Sequence, residues 1–464
     1  MDVKKFINKN KDKIIEDIAT LVEIPTVYSE GTEGKPFGDS IAEGLDTVLE
    51  MGREMGMQAK NIDGYAGEIT AGTGNRTIGV LAHIDVVPAG TDWNTEPFKC
   101  KNKDGKLYGR GTMDDKGPLV AGLYAMKYLM DNNKIPKDSA VKLIIGADEE
   151  EEWRCMKYYK EHVHPLPEYS IVPDGYFPLI FCEKGLIDFD LSQEFYNDKA
   201  AVVKVVEITG GTSRNIVPGN AICKLLVDGE VKKALINQLK QFKEIECLEI
   251  ENGLKLNVTG KSTHAMSPEK GLNAISLLLE VLGKVKATIS NRVFIETYNK
   301  YIGMNYNGER FGCGFNDELS GKLTLNVGII SLKENHVSME MNLRYPASMK
   351  WEIVKEAMMK TIKEAGFSYK EKSYLPPVYI DPDSDFVQGL MDSYRRITGD
   401  MENQPFAIGG ATYARGIPNA VAFGPLFPDE EELAHEANEF ISIRSLEKMT
   451  EIYADALEQL LRRY

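Results

Sequence analysis

Apolar residues recur along this chain with two different periods, and the two periods predict alternating helices and strands. Helical spacing of apolar residues covers residues 6–22 and ends before Pro25. Continuous apolar runs at residues 78–82 and 141–145 predict buried strands, and residues 118–130 between them predict a helix. This alternation is typical of an α/β fold with a parallel or mixed sheet that helices cover on both faces.

Helical and strand-like apolar patterns alternate again near the end of the chain, where residues 386–397 and 446–461 predict helices and residues 420–423 predict a strand. At 464 residues the chain is too long for one core, so we divide it into two domains. Residues 1–185 and 378–464 form a discontinuous metal-binding α/β domain. Residues 186–377, where strands and helices alternate without candidate ligands, form an inserted α+β domain. An insertion is tolerated because its two ends can lie close together.

Charge and composition exclude several classes of function. The formal net charge is -15 without a basic stripe, which argues against nucleic-acid or anionic-membrane partners. No apolar stretch approaches the ~20 residues of a membrane span, so a cytoplasmic location is the expectation. The six cysteines are scattered without CxxC pairs, which predicts reduced thiols and no disulfide framework.

Metal-ligating residues end five apolar segments that are far apart in the sequence. Side chains that follow strands of an open α/β sheet converge at one edge, so we expect a single site. Histidine and carboxylate ligands without cysteine suit Zn, Mn or Co in a catalytic centre. Two histidines and three carboxylates can hold two ions if one carboxylate bridges, and Asp114, in a glycine-flanked turn, is our choice. The predicted metal ligands are His83, Asp114, Glu150, Asp174 and His435.

Asp85 and Glu149 stand next to predicted ligands. His83 and Asp85 point to the same face of an extended strand end, so the Asp85 carboxylate can accept a hydrogen bond from the second imidazole nitrogen. Glu149 and Glu150 are adjacent, so their side chains diverge and two different roles are expected. The remaining acids of that run, Asp148, Glu151 and Glu152, are interpreted as a solvated helix start.

Eight motifs in order give the chain a resemblance to a known family. It resembles the M20 metallopeptidases, and among them the PepV/Sapep-like dipeptidases, over nearly its whole length. The motifs are HIDVVPAG, GRGTMDDKGP, DEE, VPD, GGTSRN, GKSTHAMSPEKG, GGATYARG and LAHEANE. The resemblance implies a two-domain M20-type fold in which the insert is an enlarged lid, and by analogy a monomer.

The resemblance also implies residue roles in the metal domain. Glu149 would be the general base and Glu150 a metal ligand. Asp174 would share one ion with His83, and Glu150 would share the other with His435. Asp115 would orient Asp114, through a peptide bond that is typically cis in this family.

Further roles are implied for substrate binding. His264 would stabilise the oxyanion, and Asn215 and Arg344 would bind the substrate's C-terminal carboxylate. Gly410, in the glycine-rich loop, would let backbone approach the substrate, and Arg415 would add charge. His162, His164 and His336 match no motif and are interpreted as bystanders.

The function that follows is hydrolysis of free dipeptides by a metal-bridging hydroxide with a glutamate base. One alternative is an M20 deacylase or aminoacylase acting on N-acyl amino acids, which needs the same metals and base. A remote alternative is a catalytically silent metal-binding scaffold.

Overall fold

A computed structural model of the chain describes residues 1–195 and 200–464. The chain separates into two compact units. The first unit contains Met1–Phe181, Ile380–Phe406 and Ala411–Tyr464, and the second contains Cys182–Tyr379 and Ala407–Gly410. The expected boundaries were 185/186 and 377/378, and the short segment Ala407–Gly410 was not expected in the second unit.

The first unit contains helices at most of the positions that the apolar periodicity indicated. The first helix begins after Asp2, whose carboxylate accepts a hydrogen bond from the main-chain N–H of Lys4, and it buries Ile14, Ile18 and Leu21. Helices Asp39–Glu54 and Arg154–His162 were not predicted. The helices of this unit are Val3–Glu23, Asp39–Glu54, Lys116–Asp131, Arg154–His162, Asp385–Thr398 and Ile443–Arg463.

The sheet of the first unit is mixed, as predicted. Strand Arg76–His83 runs parallel to Ser139–Gly146 and to Tyr169–Val172, whereas Ala66–Gly72 runs antiparallel to Ser139–Gly146. Strand Ala420–Ala422 is parallel to Tyr169–Val172. The order of strands is Gln58–Ile62, Ala66–Gly72, Ser139–Gly146, Arg76–His83, Tyr169–Val172, Ala420–Ala422 and then Ile180–Glu183, through which the chain leaves this unit.

The register of the parallel strands determines where their carboxyl ends meet. His83 lies opposite Gly146. The segments that follow these two strands therefore leave the sheet at the same edge, as does the segment that follows Val172. A smaller antiparallel sheet of Lys101–Lys103, Lys106–Tyr108 and Phe440–Ser442 belongs to the same unit.

The second unit is built on an antiparallel sheet whose strands alternate apolar and polar residues. In His336–Tyr345, the residues Val337, Met339, Met341 and Leu343 are buried in its core. The strand order is Ile245–Ile250, Gly253–Thr259, Asn220–Leu226, Lys204–Gly210, Thr324–Lys333, His336–Tyr345, Gly185–Glu194 and Ser368–Leu375. The helices are Gly229–Leu239, Ala274–Gly283, Arg292–Tyr301 and Trp351–Ala365.

Short two-stranded ribbons complete the strands. They are Ile216–Val217 with Thr263–His264, Asn316–Asp317 with Gly321–Lys322, and Gly175–Tyr176 with Pro425–Leu426. Two further short strands pair with Ile180–Glu183: Val378–Tyr379, opposite Cys182 and Glu183, and Phe406–Ile408. All six cysteines are free thiols, as predicted. Among residues 1–195 and 200–464, none of the helices combines the length and the apolar composition needed to cross a membrane.

Candidate metal centre

The two carboxylate oxygens of Asp114 face two different imidazoles. Asp114 Oδ1 lies 3.0 Å from His83 Nε2, and Asp114 Oδ2 lies 3.1 Å from His435 Nε2. His435 Nε2 is also 3.0 Å from Glu150 Oε2. The ligand atoms of His83, Asp114 and Glu150 all lie within 4.8 Å of one another. Four of the five predicted ligands are thus joined by direct contacts.

These separations fit divalent ions. Two ligands of a tetrahedral ion with bonds of about 2.0–2.1 Å are roughly 3.3 Å apart, close to the 3.0–3.1 Å between these nitrogens and oxygens. His83 is fully buried, and the Asp114 and Glu150 side chains are only 14% and 8% exposed. A buried cluster of carboxylates needs compensating cations, and the donor set of imidazoles and carboxylates suits Zn or Mn.

Asp114 and His435 reach the site from loops beside the small sheet and not from strands of the main sheet. The prediction that each ligand ends an apolar strand is therefore wrong for these two. Phe440 pairs with Tyr108 in an antiparallel register, so the residues after Tyr108 and those before Phe440 lie side by side. The small sheet thereby brings together two loops that are more than 300 positions apart.

The charges in the cluster shift one another's pKa values. Burial alone would lower the pKa of His83, but the nearby carboxylates of Asp114 and Asp85 raise it well above its ordinary value. The same kind of contacts, with Asp114 and Glu150, raise the pKa of His435 to about 11. The two imidazoles in turn hold the pKa of Asp114 well below its usual range, against the effect of burial.

The remaining acids of the cluster are shifted upward. Burial, and then the negative charge of Asp114, raises the pKa of Glu150 to about 7 and that of Asp174 to about 6. The pKa of Glu149 is raised well above its ordinary value by burial and then by Asp174. Buried acids with raised pKa values that lie close together are typical of functional sites, and a bound cation would favour their ionised forms.

Asp85 contacts its neighbours differently from the prediction. The second nitrogen of His83, Nδ1, is 2.9 Å from the main-chain carbonyl oxygen of Asp85 and 3.6 Å from its carboxylate. The Asp85 carboxylate instead accepts a hydrogen bond from the main-chain N–H of Glu150 at 3.0 Å. Asp85 therefore orients the His83 ring with its backbone and anchors the Glu150 segment with its side chain.

Asp115 and Asp148 are both buried. The Asp114–Asp115 peptide is cis, as the resemblance implied. The Asp115 carboxylate accepts the main-chain N–H of His83 at 3.0 Å, so it anchors the strand end that carries His83. The solvated interpretation of Asp148 is wrong, because its carboxylate forms two hydrogen bonds with the Arg154 guanidinium and a third with the Arg154 N–H.

Asp174 is held by a residue that the sequence analysis did not single out. The main-chain N–H of Tyr413 donates to Asp174 Oδ2 at 3.1 Å. The Tyr413 ring is fully buried and meets the His83 ring edge to face with centroids 5.9 Å apart, and its hydroxyl contacts Cys155 Sγ at 3.0 Å. Its place in the GGATYARG motif was the available signal. Arg415 lies in the same 3-10 turn, Tyr413–Gly416.

Glu439 and Arg110 were also missed. They form a buried ion pair of 2.7 Å, and Glu439 accepts hydrogen bonds from the main chain of the Asp114 turn. Both residues lie inside quoted motifs, GRGTMDDKGP and LAHEANE, and the acid directly precedes strand Phe440–Ser442. An acid at the start of a partly buried strand was the available signal for a buried partner.

Four predicted substrate-binding residues lie in the second unit and are linked by short contacts there. Asn215 O accepts a hydrogen bond from Ala265 N at 2.8 Å, next to His264, whose Nδ1 is 3.3 Å from Met266 N. A methyl group added at Gly410 would lie 3.4 Å from the sulfur of Met266.

Arg344 joins the same group of residues through the glycine-rich loop. Its guanidinium donates to Gly409 O at 2.8 Å and to Asn342 Oδ1 at 3.0 Å, and the side chain is buried. The bystander His162 lies at the end of a surface helix, with Nδ1 2.9 Å from Tyr158 O. His164 follows that helix, and His336 is exposed at the start of a strand of the second unit.

Known proteins resemble this chain in sequence and in fold. The sequence model of peptidase family M20/M25/M40 matches residues 79–459. A protein of Staphylococcus epidermidis named "Putative dipeptidase" is 34% identical over 98% of this chain and 99% of its own length. One of Staphylococcus aureus with the same description is 35% identical over the same shares.

Solved structures share the fold at lower identity. Human carnosine dipeptidase 1 matches with a TM-score of 0.60 and 14% identity, covering 99% of this chain and 98% of that one. The di-peptidase Dug1p of Saccharomyces cerevisiae matches with a TM-score of 0.59 and 13% identity, with the same coverage.

Proposed function

The chain belongs to peptidase family M20/M25/M40, and from this premise we propose that it is a dipeptidase that uses two divalent metal ions. Membership makes it a hydrolase of peptide bonds. The observation that best supports two ions is the position of Asp114, whose two oxygens face His83 and His435, one each. In the proposal His83 and Asp174 hold one ion, Glu150 and His435 hold the other, and Asp114 is shared.

Glu149 is the proposed general base. When bound, the two ions would polarise the scissile carbonyl and lower the pKa of a shared water toward about 7. Glu149 would accept the proton that this water loses, hold it on its carboxyl group, and deliver it to the leaving amine. Burial raises the pKa of Glu149, and a base whose pKa approaches the working pH can both take up and return a proton.

The second unit supplies the proposed substrate contacts. Arg344 and Asn215 would bind the C-terminal carboxylate of the dipeptide, because a planar guanidinium pairs with a carboxylate in a bidentate manner. His264 would stabilise the oxyanion, and Arg415 of the first unit would add positive charge. Gly410 would allow close approach of the backbone, since even a methyl group there would lie 3.2 Å from Ile408 Cδ1. The hydrogen bond of Arg344 to Gly409 O and that of Asn215 O with Ala265, the neighbour of His264, support these roles.

We also propose which metals the protein uses, where it is located and which partners it binds. Zinc and manganese both suit the imidazole and carboxylate donors, and cobalt should substitute for them. We propose a cytoplasmic monomer, and six free thiols are what a reducing compartment maintains. The proposed partners are free dipeptides, with no nucleic acid or membrane.

A hydrolysis assay on a small substrate panel tests the proposal. The panel contains free dipeptides, one tripeptide and N-acetyl amino acids, and the enzyme is first stripped with a chelator and then restored with Mn or Zn. We expect cleavage of the dipeptides only, and only after a metal is restored. Both the free α-amino group and the length of the substrate should therefore matter.

Other outcomes distinguish the remaining hypotheses. Activity confined to the N-acetyl amino acids would retain the metal site and make the protein a deacylase. Cleavage of the tripeptide at the same rate would refute selection by length. Hydrolysis no faster than in buffer, in a protein that binds both ions, would favour the silent scaffold.

A further inference from the structure

An ion pair beside the metal cluster has no role in the proposed chemistry. Arg110 and Glu439 are 1% and 0% exposed, and Arg110 Nη1 lies 2.7 Å from Glu439 Oε2. Removing two charges from water is costly, and additional hydrogen bonds are needed to compensate for it. The partners of those additional bonds identify what the pair holds in place.

Glu439 binds the turn that carries Asp114. Its Oε2 accepts the main-chain N–H of Gly111 at 3.0 Å, and its Oε1 accepts those of Met113 at 2.8 Å and Asp114 at 3.2 Å. One carboxylate therefore fixes three main-chain groups of a four-residue segment. The direction of the Asp114 side chain depends on that segment.

Arg110 binds the loop that carries His435. Its Nη2 donates to the main-chain carbonyl oxygen of His435 at 3.2 Å. His435 has φ of 66°, in the left-handed region that residues other than glycine seldom adopt. A hydrogen bond to its own carbonyl group helps to hold this conformation and so the direction of the imidazole.

We propose that Arg110 and Glu439 are positioning residues that set the separation of Asp114 and His435. They thereby determine the affinity for the ion held by His435 and Glu150. The inference rests on the proposed two-ion site and adds a function for two residues outside it. Neither residue is a ligand in the proposal, so they act only through the segments that they bind.

The test is metal binding by full-length Glu439→Gln, measured by equilibrium dialysis with elemental analysis. Glutamine keeps the size of the side chain but removes the charge that Arg110 and the turn require. We expect the ion held by His435 and Glu150 to bind about 10- to 100-fold more weakly, as when the partner of a ligand is removed. The other ion should be weakened less, because it depends on the pair only through the shared ligand Asp114. The visible spectrum of the Co(II)-loaded protein should change most for the ion held by His435 and Glu150.

Kinetics provide a second readout. At limiting metal, kcat of Glu439→Gln should fall, and excess metal should restore it with KM unchanged. Arg110→Lys keeps a cation in the pair but loses the donor to His435, so it should show a smaller effect on the same ion. The control is Glu68→Gln, which removes a different, largely buried ion pair of the first unit, with Lys142, and should leave both affinities unchanged.

Two results would overturn the inference. Wild-type affinity for both ions in a folded variant would show that the pair does not position the ligands. Equal weakening of both ions would show a general structural role. If Glu439→Gln does not fold, Arg110→Lys decides between the same results. Absence of any bound ion in the unchanged protein would instead refute the two-ion proposal itself, and this inference with it.

Discussion

Loading the site with metal should release protons, and the structure indicates how many. In the metal-free protein both His83 and His435 lie 3.0–3.1 Å from carboxylate oxygens, and their pKa values are raised, that of His435 to about 11. Both side chains are therefore expected to be in the positively charged imidazolium form near pH 7. The pKa of Glu150 is raised to about 7, mainly by burial, so this carboxyl is about half protonated there.

A bound cation must displace these protons, because metal ligands bind in their deprotonated forms. We expect roughly two to three protons to be released when both ions bind at pH 7. Because protons are released, the affinity for the metal ions increases as the pH rises and decreases as it falls. With two to three protons released, the product of the two association constants should increase about 100- to 1000-fold per pH unit.

Isothermal titration calorimetry in buffers of different ionisation enthalpy, at one pH, counts the protons. His162→Gln is a matched control, because His162 is an exposed histidine outside the cluster and its replacement should leave the count unchanged. His435→Gln should lower the count by about one. A release of less than one proton at pH 7 would refute the reasoning, since the imidazoles would then be neutral despite their carboxylate neighbours.

Three further predictions concern single side chains. Glu149→Gln should lower kcat by about 10²–10⁴ while both ions still bind, because a general base transfers protons without being a metal ligand. The control is Glu151→Gln, the same change at an exposed acid two positions further on. A near-normal kcat in Glu149→Gln would reject the assignment. His264→Ala should lower kcat by about 10²–10³ at unchanged metal content, and joint loss of both would indicate a structural histidine. Tyr413→Phe should lower the free energy of unfolding by about 1 kcal/mol in urea titrations, because the buried Cys155 Sγ loses the hydroxyl that it contacts. Its metal content should be unchanged, since the main chain holds Asp174, and loss of metal would contradict this.

The predicted helices and strands that depend on a local pattern were confirmed. Strand Arg76–His83 and strand Ser139–Gly146 were visible as apolar runs, and their parallel pairing brings the segments after them to one edge. The fold class and the family follow from patterns of this kind. The roles of the individual site residues stay predictions, because spacing and chemistry identify candidates without measuring what they do.

Other features depend on partners that are remote in sequence. Asp148 belongs to an acidic run that is typical of a solvated helix start, but Arg154 pairs with it and both oxygens are used. Glu439 has its partner 329 positions away, so its local pattern can indicate that a buried partner exists but cannot identify it as Arg110. Both cases show that the burial of a charged residue depends on tertiary contacts.

Polar edge strands were missed for a different reason. Strand Ser368–Leu375 pairs only with Gly185–Glu194 and exposes most of its side chains, so its sequence, SYKEKSYL, lacks a buried face. A strand that contributes hydrogen bonds without apolar burial leaves little signal in a hydrophobic pattern.

The position of strand Ala420–Ala422 inside the main sheet affects the order of events during synthesis. The strand lies between Tyr169–Val172 and Ile180–Glu183, both of which leave the ribosome some 240 residues earlier. The second unit, formed almost entirely by residues 182–379, is complete before that strand emerges. The main sheet of the first unit is therefore completed only when residues 420–422 are added, and His435 and Glu439 follow them in the chain. If the two-ion proposal is correct, a chain that stops before residue 420 lacks the ligand His435, and the complete site forms only at the end of synthesis.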